Sequence, residues 1–153
     1  MTKRILIALL IIWCGFAQNV ISGINSFVDK GDGTIIDVRT GLMWQQVPPN
    51  DTYIYAAAMD YCDDLTLGEH DDWRIPEVKE SLSIIDYKLK DPALDPIAFP
   101  RADRQIGNFW VHSTDVEPKV IRAVRTNWGT VSDPLETALA SRILLIRCVR
   151  SLN

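Results

Sequence analysis

The chain has 153 residues, 47% of them apolar and 24% charged. That is enough for one domain with a full core, and too apolar for a disordered segment. Sixteen basic and twenty acidic residues give a formal net charge of −4, which argues against a nucleic-acid binder, normally basic overall.

Lys3 and Arg4 precede an apolar run from Ile5 through Trp13, Cys14, Gly15 and Phe16 to Ala17. A basic start, a short apolar stretch and small residues at Gly15 and Ala17 predict a secretory signal over residues 1–17, cleaved after Ala17. The run falls short of the ~20 residues that span a bilayer. An uncleaved anchor and a lipoprotein signal acylated at Cys14 are the competing readings; against the second, Trp13 stands where a small residue is expected. Removing Lys3 and Arg4 leaves 14 basic residues against 20 acidic, a net charge of −6. The mature chain is expected to be exported, periplasmic or extracellular, with no membrane span. Residues 18–25 read as a linker and 26–153 as the folded domain.

Cys14 leaves with the signal, so Cys62 and Cys148 remain as a pair in an oxidising setting. They form either a disulfide or two buried thiols. Two distant cysteines with only His70 and His112 to complement them make a poor metal centre.

From Phe27 to Asp37 the sequence reads strand, turn, strand, with Asp32-Gly33 supplying the tight turn. A calcium loop starting at Asp29 fails, because Gly31 and Gly33 occupy positions that should carry oxygen ligands. Arg39-Thr40-Gly41 is a second turn into the short strand Leu42-Met43-Trp44. Pro48 to Asp51 leads into a helix over Thr52 to Leu65, capped by Asp51 or Thr52. Its inward face should carry Tyr55, Ala58, Met59 and Cys62. The charged turn Glu69 to Asp72 is expected to be solvated. Trp73, Arg74 and Ile75 then form a short extended segment, and Pro76 opens a second helix over Glu77 to Asp86, proline being tolerated in the first helical turn. Val78, Leu82 and Ile85 give that helix one apolar stripe.

Three prolines between Asp91 and Pro100 exclude a regular helix or central strand, so this is a loop whose Leu94, Ile97 and Phe99 pack down. Asn108 to Thr114 alternates as a strand. Val120 to Thr126 and Asn127 to Val131 read as two strands of a hairpin, and Ile143 to Val149 as an apolar final strand carrying Cys148. Helices early and short strands late imply an α+β fold.

The segment 27–46 (FVDKGDGTIIDVRTGLMWQQ), the Ala-rich helix with Cys62, DDWRIP at 71–76, DPALDPIAFP at 91–100, FWVHST at 109–114 and the closing Arg147-Cys148-Val149-Arg150 occur in the order of a known family. Over residues 26–150 the chain resembles the Lcl C-terminal domain family, a bacterial domain-of-unknown-function family named for the C-terminal domain of a collagen-like adhesin. The resemblance implies a C-type-lectin-like fold: two helices packed on a small twisted antiparallel sheet, with the N- and C-terminal strands adjacent. It implies a Cys62–Cys148 disulfide between the first helix and the last strand, and makes Asp72, Trp73, Arg74 and Pro76 the fold motif. The chain departs from the family at Asp115 to Arg125, which is charged and short where family members carry an aromatic, Gly- and Ser-rich stretch.

Catalysis finds little support, since a hydrolytic nucleophile needs a base held beside it and His112 and Ser113 should point to opposite faces of a strand. Calcium-dependent sugar binding is also poorly supported. Lys119 follows Glu117-Pro118 where a metal-binding loop needs an oxygen ligand, and Asn127-Trp128-Gly129 lacks the matching strand motif. No metal or cofactor is expected. Arg101, Arg104 and Arg122 could converge on the sulfate or carboxylate groups of a polyanion through fork-like hydrogen bonds, with Trp128 as a stacking platform. The alternative is solvated arginines pairing with Asp103, Asp115 and Glu117. Trp73 and Trp110 are assigned to the core, and Trp128 to neither side. The expected function is non-catalytic binding of a glycan or polyanion, by analogy with an adhesin; the competing class is an envelope or surface protein that binds a protein partner.

Overall fold

A computed structural model of the chain describes residues 20–22, 26–100, 108–112, 121–131 and 142–152. Among these the protein is α+β, with two helices and two antiparallel sheets. The strands are β1 (Val20–Ser22), β2 (Ser26–Asp29), β3 (Thr34–Asp37), β4 (Leu42–Gln45), β5 (Asn108–Val111), β6 (Arg122–Arg125), β7 (Thr130–Val131) and β8 (Val149–Ser151); the helices are α1 (Tyr55–Asp63) and α2 (Val78–Ser83). The larger sheet has the order β1-β2-β3-β4-β8, the smaller β5-β6-β7. The C-terminal strand therefore joins the N-terminal sheet, but beside β4 rather than beside its first strands. Part of the segment read as a linker is itself a strand, because β1 pairs with β2 in the register Val20↔Val28. The expected signal at residues 1–17 lies outside the described residues.

The β2–β3 hairpin forms where its turn residues predict. The Asp29 carboxylate accepts the Gly31 N–H at 2.7 Å, and that of Asp32 accepts both the N–H and the hydroxyl of Thr34 at 2.9 and 2.6 Å. Both acids thus stabilise the turn through local side-chain to backbone bonds.

All four residues of β4 are buried, because both faces of the large sheet are covered. Ile35, Trp44 and Val149 are cross-strand neighbours on one face, packed under α2 and the proline-rich loop with Leu94, Ala98 and Phe99. Met43 lies on the other face, in a cluster with Ala58 and Cys62 of α1, Trp73, Ile75 and Trp110. Cys62 and Cys148 form a disulfide that pins α1 to the approach of β8.

Several boundaries shift from the sequence reading. Helix α1 starts at Tyr55 after an extended Ile54, with no side-chain cap, so neither Asp51 nor Thr52 performs that role. Met59 is 41% exposed, since the helix turns only Ala58 and Cys62 fully inward. Pro76 precedes the N-cap Glu77 instead of entering the helix, and α2 begins with a reciprocal capping box between Glu77 and Glu80. Ile97 is 67% exposed, while its neighbours Leu94 and Phe99 are buried. The final apolar run is extended but becomes a strand only at Val149; Leu144 and Leu145 make single bridges to Tyr53 and Phe109.

Candidate functional site

The DDWRIP segment joins the two sheets. Arg74 bridges Val149 of β8 through paired backbone bonds of 2.9 Å. Two residues on, the Pro76 carbonyl accepts the His112 N–H at 2.8 Å, just past β5. Trp73 is buried, and its indole N–H is shared between the carbonyls of Leu67 and His70 at 3.3 and 3.1 Å. Asp72 receives two hydrogen bonds from Arg150, at 2.5 and 3.1 Å; these hold its carboxyl below the usual carboxylate range against the opposing effect of desolvation. The motif residues Asp72, Trp73, Arg74 and Pro76 therefore build the frame.

A surface lies at the far end of α2. Ile84 and Ile85 turn inward after the helix, and Asp86 accepts the Lys88 and Leu89 N–H groups at 2.9 Å each, through its carboxylate and its carbonyl. The resulting turn projects Tyr87 and Lys88 outward. The β6–β7 turn packs beside it: Ala93 donates to the Thr126 carbonyl at 2.6 Å, Asp91 to that of Asn127 at 3.2 Å, and the Tyr87 hydroxyl to that of Gly129 at 3.2 Å. Gly129 has φ +64°, and a Cβ there would sit 2.4 Å from Ile85 and 3.0 Å from the Tyr87 ring. Only glycine permits this approach, and it brings the turn that carries Trp128 against Tyr87; the two side chains are 58% and 69% exposed.

Arg39 closes the other side. It projects from the β3–β4 turn, where the buried Asp37 carboxylate accepts its backbone N–H at 3.0 Å, and its guanidinium donates to the Ser83 carbonyl at 2.7 Å while remaining half exposed. Arg39, Leu82, Ser83, Asp86, Tyr87 and Lys88 border a groove of about 360 Å³. Two cations, one carboxylate and the Tyr87 ring thus border this groove, and the turn that carries Trp128 packs against Tyr87 through Gly129.

The sequence-derived site residues meet different fates. Trp128 is exposed as a platform must be, though it lies in the turn and not in a strand. Arg122 sits half-buried in β6 opposite Val111, with Arg125 on the reverse face as their odd spacing requires. Arg101, Arg104, Ser113 and the Glu117-Pro118-Lys119 segment lie outside the described residues. His112 contacts the Tyr55 hydroxyl at 2.9 Å, and burial raises the pKa of that phenol. Sequence reasoning missed Tyr87, Arg39 and Lys88. Tyr87 follows the apolar stripe of α2 just past the helix end, and the approach of Gly129 to it carries no local signal. Among the described residues no cluster of three or more metal-ligating side chains occurs, and no helix is long and apolar enough to cross a membrane.

The fold and this face define a disulfide-pinned α+β domain with a mixed aromatic and cationic surface. The model of the Lcl C-terminal domain family matches residues 33–150, and the chain belongs to that family. No curated protein and no solved structure matches the chain.

Proposed function

We propose that the chain is an exported, non-catalytic binding domain of C-type-lectin-like architecture, and that it recognises an acidic glycan through Tyr87 and Trp128 flanked by Arg39 and Lys88. The observation that carries this reading is the exposed Tyr87, 69% accessible, lining one groove with Arg39 and Lys88, with the 58% accessible Trp128 on the turn that packs against Tyr87 through Gly129. Aromatic faces stack on the apolar faces of sugar rings, and arginine and lysine neutralise sulfate or carboxylate groups. The negative charge of the whole chain makes this local cationic face selective rather than generally adhesive to anions. Export is supported by the disulfide between Cys62 and Cys148 and by the leader-like residues 1–17.

The test is a binding screen of residues 18–153 against sulfated, carboxylated and neutral glycans, at low and high salt, with calcium and with chelator. Salt-sensitive, chelator-indifferent binding that is lost in Trp128→Ala and Tyr87→Ala supports the reading, and parallel loss in Arg101→Ala, Arg104→Ala and Arg122→Ala would extend the site to those arginines. No glycan binding under any condition sinks it. A salt-tolerant protein complex lost with the same aromatic substitutions would instead mark a protein-binding hot spot.

A further inference from the structure

Arg147 lies where a cation has little reason to be. It is 3% exposed, on the segment that leads into β8. Nη1 donates to the carbonyls of Gln45 and Gln46 at 2.7 and 2.6 Å. The guanidinium also stands over the rings of Phe99 and Phe109, 4.7 and 5.8 Å from their centroids. Among the described residues it has no carboxylate within ion-pair distance, and Nη2 has no acceptor. Burial pushes its pKa down to about 9, so it remains charged at neutral pH.

A cavity of about 20 Å³ lies against this side chain, lined by Arg147, Trp44, Ser81, Ile85, Phe109 and Thr126 among others, all of them buried. It has room for one particle of about the size of a water molecule. Two of its lining residues carry buried donors without acceptors, Nη2 of Arg147 and Nε1 of Trp44. Both groups can only donate. Ser81 brings a hydroxyl that can rotate to donate as well. A water molecule could accept from some of these and donate to the Ser81 hydroxyl, but it brings no charge to offset the guanidinium. An anion accepts from every donor and neutralises the buried cation.

We propose that this cavity is a binding site for one small monovalent anion of halide size, with chloride the fitting occupant. The anion would complete the core between the large sheet, α2 and the small sheet, so its expected effect is on stability.

The experiment is thermal unfolding of the disulfide-intact protein while gluconate is replaced by chloride or bromide at constant ionic strength and pH. The expected result is a midpoint that rises and saturates with halide, together with a bromide anomalous-diffraction peak in the cavity against Arg147. Trp44→Phe should weaken the apparent halide affinity about tenfold, through loss of one charge-assisted hydrogen bond. Arg147→Met should abolish the dependence; if that variant does not fold, the wild-type titration and the bromide map decide alone. A midpoint that follows ionic strength whatever the anion, or bromide found only on the surface, overturns the proposal.

Discussion

The guanidinium of Arg74 and the carboxylate of Glu80 meet through two parallel hydrogen bonds, 2.8 Å from Nη1 to Oε2 and 2.7 Å from Nη2 to Oε1. The same carboxylate accepts the Glu77 N–H at 2.8 Å, so one acid caps α2 and anchors the segment that crosses both sheets. Such fork-to-fork pairs combine strength with fixed geometry.

Acid sensitivity follows from that pair. Burial alone would raise the Glu80 pKa, but Arg74 and the Glu77 N–H outweigh it and hold the carboxyl below its ordinary value. A depressed acid stabilises the fold fully above its unfolded value, near ~4.3, and the contribution is lost as pH falls through the lower folded value. Glu80→Gln should cost about 1–2 kcal/mol at neutral pH, and its deficit should shrink below pH ~4. Urea midpoints across the acid range measure both, and a deficit independent of pH would count against the ion pair.

The disulfide should dominate global stability. Its partners are 86 residues apart, for which the chain-entropy account gives at most ~4–5 kcal/mol. Cys62→Ala with Cys148→Ala should lower the urea midpoint by a large part of that amount, and reductant should reproduce the shift in wild type but not in the variant.

Gly129 separates steric from conformational cost. Gly129→Ala must displace Ile85, 2.4 Å away, and adopt φ +64°, whereas Gly31→Ala at φ +73° meets nothing within 4 Å. The first should cost about 2 kcal/mol or more and the second about 1 kcal/mol. Equal melting temperatures for the two variants would show that the 126–129 turn moves to accommodate the methyl group.

Trp128→Ala should leave the melting temperature within the narrow range expected for an exposed position, about ±0.5 kcal/mol in stability, while abolishing glycan capture. A large loss of stability would mean that the ring packs more than its exposure suggests.

Local chemistry was legible in the sequence, and distant pairing was not. The β2–β3 hairpin, the turn at Gly41 and the burial of Trp73 and Trp110 follow from turn residues and apolar periodicity acting over a few positions. Helical spacing puts Met59 on the inward face, yet α1 buries only the narrow strip that the sheet can cover; Ile97 is apolar but its loop turns only Leu94 and Phe99 inward. The final run from Ile143 reads as one strand because it is apolar throughout, but its partners change from Tyr53 and Phe109 to β4 along its length. The groove beside Tyr87 draws on residues from Arg39 to Lys88, and the turn that carries Trp128 reaches Tyr87 through a Gly129 contact invisible to any local pattern.

The pairing of β4 with β8 also constrains the order of events in folding. Gln45 bonds to Cys148 across 103 residues, and the segment from Trp73 to Pro76 can lock both sheets only after that last strand is in place. The large sheet therefore cannot close around a growing chain. Contacts of such long sequence separation make assembly slow, because loop-closure entropy precedes the reward. A chain emerging N-terminus first would stay open until nearly all of it is available, a property compatible with the proposed export, in which the chain would cross as an extended thread and condense on the far side.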